Sequence, residues 1–180
     1  TKGKYSGTIL LDILIEDAIY PELTEKRVQT KWIETENETK IVVPTIDAIT
    51  GDKLTAFAPN TVGIPYFKGR DQQPFSMEIC KQLFDLSKLF ERIENMKIVA
   101  QSFEAFAIQE IKYRKTETSD LTPAKVLQDT IDTCAILAKK GKGAADEKQK
   151  FTELQKGIRA FGTGFLMNGN FRIDDAVPAA

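Results

Sequence analysis

The stretch KIVVPTIDAITGDKLTAFAP, residues 40–59, changes its period halfway along and so sets the fold class. Residues 40–43 read as a strand, and Pro44 closes it because proline brings no N–H to a ladder. Thr45 is placed to N-cap a helix running from 46 to about 58, which Pro59 stops. Upstream, a second strand is expected over 28–34, separated from the first by the turn-prone residues 35–39 and preceded by a polar, Pro-containing connection over 17–30. Further back, TILLDILIE, residues 8–16, is almost continuously apolar and β-branched, the pattern of a strand covered on both faces.

Downstream of Pro59 the reading becomes helical. Residues 59–74 are rich in Gly, Pro and aromatics and read as a loop, and from Phe75 onward the apolar spacing is that of helices, expected near 75–92, 96–115, 123–140 and 146–161. Thr122 followed by Pro123 is a helix start, and Gly141 is a stop. The glycines of Phe161-Gly162-Thr163-Gly164-Phe165 follow a helix rather than a strand, so they read as a loop and not as a dinucleotide fingerprint. Residues 174–180 show no clear closing element. The expected architecture is α+β: a partial mixed sheet followed by a helical bundle, with no internal repeat.

Composition excludes more chemistry than it names. The 180 residues, 42% hydrophobic and 28% charged, suit one core-bearing domain or two small lobes. No apolar run reaches the roughly 18 residues of a membrane span. A net charge of −1 gives no global attraction for nucleic acid. The two cysteines, Cys80 and Cys134, have no metal spacing and read as reduced cytoplasmic thiols. With no histidine, the chain builds neither a Ser-His-Asp triad nor a His base, so catalysis rests on carboxylates, lysines and bound metal. The chain starts at Thr1 and enters an apolar strand within a few residues, with no signal-peptide pattern, so a further segment is expected in front of it.

Three residues stand out. Asp12 interrupts the apolar run, where a buried carboxylate needs a cation or donors; either it ligates a metal or its face is open to water or paired with a basic residue. Lys53 falls on the stripe of Ile46, Ile49 and Phe57; it snorkels to the core's rim, or it stands at a cleft as a phosphate contact. Asp85 shares a face with Lys81, Lys88 and Arg92, opposite the stripe Ile79, Leu83, Leu86 and Phe90, and by periodicity alone is an ordinary ion-pair residue.

Their order carries a resemblance. Leu11-Asp12-Ile13 on a strand, then Ile46-Asp47-Ala48-Ile49-Thr50-Gly51-Asp52-Lys53-Leu54-Thr55-Ala56-Phe57, then Lys81-Gln82-Leu83-Phe84-Asp85-Leu86 resembles the later motifs of the AbiEii/AbiGii nucleotidyltransferase toxins. In that family a Leu-Asp strand precedes a helix with a Lys-Leu-x-Ala core and then an Arg-Asp-x-x-Asp-Leu-type helix. Residues 63–85 look especially like one subgroup. The resemblance implies a polymerase-β-like nucleotidyltransferase core, ending within residues 1–58, and a helical domain over 59–180. It makes Asp12 the carboxylate of a Mg2+ site, Lys53 the triphosphate contact with Lys81 as a second nucleotide contact, and Asp85 a catalytic carboxylate. It also implies transfer of a nucleotide from a Mg-bound nucleoside triphosphate to an RNA or protein acceptor in a bacterial cytoplasm, with a cognate antitoxin as partner and no membrane.

Two departures qualify this. Lys81 and Gln82 stand where the family has Arg and the first Asp. The family's Gly-Ser or Gly-Gly turn and Asp-x-Asp pair are expected before Thr1; because nucleotidyl transfer needs converging carboxylates to hold its metal ions, the chain alone is expected to be inactive. The alternative is a noncatalytic module docking an antitoxin or other partner, with Tyr66 and Phe67 as exposed aromatics. A third reading, nucleic-acid binding, uses Lys112, Arg114 and Lys115 with Tyr113; a solvated helix end accounts for the same residues.

Overall fold

Strand β1 (Leu23–Arg27) pairs antiparallel with β2 (Lys40–Pro44), Leu23 opposite Pro44 and Arg27 opposite Lys40. The computed structural model describes residues 13–29, 35–114, 120–166 and 171–180. β1 lies inside the stretch read as a polar connection; of the strand expected over 28–34, Val28 and Gln29 carry no strand and residues 30–34 lie outside the described residues. The reason is physical: four of the five β1 residues are exposed, so the strand carries no alternating apolar signal and only its backbone pairing defines it. Of the apolar run at 8–16, residues 8–12 lie outside the described residues, and Ile13, Leu14, Ile15 and Glu16 are exposed and form no strand.

β2 feeds directly into α1 (Ile46–Ala56), whose cap is the predicted one: Thr45 Oγ1 accepts from the Ala48 N–H at 3.3 Å. The helix ends at Ala56, slightly short of the expectation, and Phe57 turns into the core. Residues 59–74, read as a loop, contain a small hairpin, β3 (Phe67–Lys68) with β4 (Gln73–Pro74). Two-residue strands are too short to carry a period. Its turn places Gly69 and Gln72 at positive φ, 77° and 49°.

Four long helices follow where the spacing predicts them: α2 (Ser76–Phe90), α3 (Met96–Tyr113), α4 (Pro123–Ala138) and α5 (Ala145–Gly164). Asn95 caps α3 and Thr122 caps α4 ahead of Pro123. Two expectations are corrected. Gly162 and Gly164 belong to α5 rather than to a loop, because Gly162 lets the backbone after it return closely: a Cβ there would lie 2.7 Å from Phe171 O. A closing helix α6 (Ile173–Ala179) also exists, capped by Asp175, which accepts from the Arg172 N–H at 2.8 Å. Pro178 lies in its last turn and masks it in the sequence.

α1 packs chiefly on α3 and also on α2, while α2 packs on α5. The main core gathers Phe57, Ile79, Leu83, Leu137, Leu154 and Phe161, and a second cluster holds Ala58, Val62, Phe103, Ala107 and Val126. Burying the larger of these side chains contributes on the order of 2 kcal/mol each. The α1–α3 approach requires Gly51: a Cβ would collide with the Val99 carbonyl and lie 2.6 Å from Phe103 N. Phe90, expected on the apolar stripe of α2, is instead 47% exposed at the helix end. Both cysteines are free; burial pushes the Cys80 thiol up to about 12 and Cys134 up to about 11, so both are poor nucleophiles.

Candidate active site

Three residues meet where α1 crosses α2. Asp47, in the first turn of α1, is buried and accepts from the backbone N–H groups of Glu94 and Asn95, each at 3.0 Å, which ties that end of α1 to the start of α3. With α1 so held, Lys53 emerges one turn before its C-terminus and reaches across to α2. On α2, Ile79, Leu83 and Leu86 point into the core, which turns Gln82 and Asp85, one turn apart, together toward α1. Lys53 Nζ donates to Asp85 Oδ2 at 2.8 Å and to Gln82 Oε1 at 3.0 Å. The pair is open on one side, with 28% of the Lys53 side chain and 45% of the Asp85 side chain exposed. The buried face of α1 is Asp47, Ala48, Thr50, Gly51 and Thr55 rather than the expected stripe through Ile46 and Ile49, which are only partly buried. Lys53, beside that face, meets a carboxylate 32 positions away, and Asp85 pairs with α1 rather than with Lys88 on its own face.

Lys81 is engaged differently. Its ammonium pairs with Glu78 at 2.8 Å and lies 4.3 Å above the centre of the Phe165 ring. Among the described residues no contact joins it to Lys53. Asp12 lies outside the described residues.

A second polar group forms along the other side of α1. Tyr20 donates its hydroxyl to Asp52 Oδ2 at 2.7 Å and packs its ring 4.6 Å from that of Phe106. Burial pushes the Asp52 carboxyl above its ordinary value, against the lowering effects of the Tyr20 hydrogen bond and Lys53; burial and the Asp52 carboxylate push the Tyr20 phenol up as well. Glu110 is also raised, by burial first, with Asp52 adding repulsion. Asp52 and Glu110 border a cleft of about 450 Å³ lined also by Thr55, Pro65, Lys68 and Arg114. Sequence reasoning passed over Tyr20, which sits in a connection without periodicity, and Asp52, which there reads as one more polar helix residue.

Arg114 donates to the carbonyls of Val62 and Gly63, so it braces the loop after α1. Tyr113 donates to Glu16. Arg114 and Tyr113, two of the four residues read for nucleic acid, thus have partners within the chain, while Lys112 is exposed and Lys115 lies outside the described residues. Tyr66, expected as an exposed aromatic, is buried in the main core and Phe67 is packed against it.

The implied magnesium ion finds no donor set among the described residues: no three carboxylate, thiol or imidazole groups converge there, and Asp85 is already bound to an ammonium. What the Lys53–Asp85–Gln82 arrangement can do is present a fixed positive charge with hydrogen-bond donors to an anion from the solvent side.

Among the described residues, no helix is long and apolar enough to cross a membrane. No curated protein and no solved structure shows significant similarity to the chain. The model of one protein family does match it, over residues 1–162: the nucleotidyl transferase AbiEii toxins of type IV toxin–antitoxin systems. The match runs from before the β1–β2 hairpin, through the Lys53–Asp85 crossing and nearly to the end of α5, and the chain belongs to the AbiEii family of nucleotidyltransferase toxins.

Proposed function

We propose that this protein transfers a nucleotide from a nucleoside triphosphate to an RNA or protein acceptor in the cytoplasm, as a toxin held in check by a cognate antitoxin. Lys53 is the triphosphate contact and Asp85 the active-site carboxylate that fixes it, with Lys81 on the next turn of α2 as a second nucleotide contact. Residues 1–58 end the nucleotidyltransferase core and residues 59–180 form its helical domain, with α1 of the first packed on α2 and α3 of the second. The observation that carries this reading is the 2.8 Å pair between Lys53 and Asp85, formed from two helices and left open to solvent. An ammonium pinned by one carboxylate keeps its position yet retains donor capacity for a phosphate oxygen, and phosphoryl chemistry depends on such positioned charge. Asp12 and a magnesium ion enter the reading through the family alone.

The test is transfer of α-labelled nucleoside triphosphates to total RNA and protein by the full-length gene product. Labelling that Lys53→Ala abolishes supports the reading; a folded protein that transfers none of the four nucleotides sinks it.

One observation favours a noncatalytic docking module instead. A cleft of about 900 Å³ between α2, α4 and α6 exposes Phe90, Leu127 and Ile131, at 47%, 40% and 51%. Such apolar exposure suits a protein partner. Retained antitoxin binding with no transferase activity would favour that module.

A further inference from the structure

Gln82 holds the second contact of the Lys53 ammonium, and the chemistry of that contact fixes the direction of the whole amide. An ammonium only donates, so the group facing Lys53 Nζ at 3.0 Å is the carbonyl oxygen of Gln82. The NH2 end therefore points away from Lys53. Among the described residues no acceptor takes an Nε2–H of Gln82, and that nitrogen is not among the buried polar atoms left without a partner, so it faces water. The side chain is half-buried beside Asp85, one turn along the same face of α2.

Two consequences follow for the open side of the pair. Lys53 spends two N–H groups on Asp85 and Gln82, leaving the third. Beside it stands an amide whose free end is also a donor. A carboxylate at position 82 would present acceptors on both sides and would make the trio net negative; the neutral amide keeps Lys53 and Asp85 balanced at one charge each. The local pattern is then donor beside donor, which matches the acceptor-only oxygens of a phosphate chain.

We infer that Gln82 is a ligand-binding residue of this site, its Nε2–H donating to a phosphate oxygen of the polyphosphate that Lys53 contacts. The inference rests on the proposed triphosphate site and deepens it: recognition at this crossing uses an oriented amide as well as a charge, and the amide is oriented by the same lysine that binds the ligand. Neither residue requires a metal ion for this contact, so the interaction is measurable with the anion alone.

The experiment is calorimetric titration of the full-length protein with inorganic tripolyphosphate in chelator, for the wild type, Gln82→Met, Gln82→Glu and Lys53→Ala, with melting temperatures of all four. Gln82→Met, similar in length and uncharged, is expected to weaken binding about tenfold, the loss of one hydrogen bond to a charged acceptor, without a change in melting temperature. Gln82→Glu retains an acceptor for Lys53 but replaces the donor with a negative charge, and a larger loss is expected. Lys53-dependent binding by the wild type that neither Gln82 variant alters overturns the role of Gln82 and leaves the triphosphate site standing. A folded wild type that binds no tripolyphosphate overturns both.

Discussion

Lys53 on α1 and Asp85 on α2, 32 residues apart in sequence, form a 2.8 Å ion pair whose two side chains remain 28% and 45% exposed. A pair that open to water is weakly stabilising, because solvent screens the attraction and both side chains lose freedom to form it. Lys53→Met, which keeps the aliphatic stem, is therefore expected to change unfolding free energy by less than about 1 kcal/mol. Urea denaturation checks this; a loss of several kcal/mol would make the pair a structural element first.

Gly51 is expected to tolerate no side chain. Its missing Cβ makes room for the backbone of α3, where Phe103 N would stand 2.6 Å from it. Backbone cannot swing aside as a flexible side chain does, so Gly51→Ala costs about 1–3 kcal/mol. The expected readout is a melting temperature several degrees lower; an unchanged value would mean that α1 and α3 are less closely apposed.

Asp129 anchors the turn after α1. Buried on α4, it accepts from Asn60 N at 2.7 Å, Asn60 Nδ2 at 2.6 Å and Thr61 Oγ1 at 2.8 Å. Removing the carboxylate strands all three donors, so Asp129→Ala is expected to lose about 3 kcal/mol in denaturant titration. A change below about 1 kcal/mol would show that water replaces these bonds.

Asp52 gives the molecule a pH dependence of known sign. Burial raises its folded pKa above the unfolded value, so between the two the unfolded chain has released a proton that the folded chain retains, and stability falls as pH rises through that window. Above the folded pKa the full cost of ionised Asp52 is present, and acidification relieves it. Asp52→Asn keeps an acceptor for Tyr20 and removes the charge. It is expected to stabilise the protein at neutral pH, with the advantage fading as pH drops through the raised folded pKa and gone below the ordinary aspartate value. An Asp52→Asn protein less stable than wild type at pH 7 would refute the sign.

Much of the helical half is legible because its signals are local. Thr45, Thr122 and Pro123 mark helix starts at the positions where α1 and α4 begin, and the apolar spacing of Ile79, Leu83 and Leu86 identifies the buried face of α2. What escapes is whatever a local pattern does not encode. β1 is wet on most of its length, β3 and β4 are two residues each, and Gly162 is explained only by Phe171 returning beside it. The site divides the same way. Lys53 is conspicuous because an ammonium breaks an apolar stripe, but that its partners are Asp85 and Gln82 is a fact of the α1–α2 crossing, and no spacing within either helix carries it.

The most direct test of a triphosphate site at Lys53 and Asp85 is the charge exchange Lys53→Asp combined with Asp85→Lys in the full-length protein, measured for stability and for transfer of α-labelled nucleotide. The exchange restores an ion pair between α1 and α2 but moves the ammonium to the other helix. The expected result is stability near wild type with transfer reduced at least about a hundredfold, the scale on which misplaced catalytic groups act. Transfer recovered along with the ion pair would contradict the assignment and leave Lys53 and Asp85 as a structural contact between two helices.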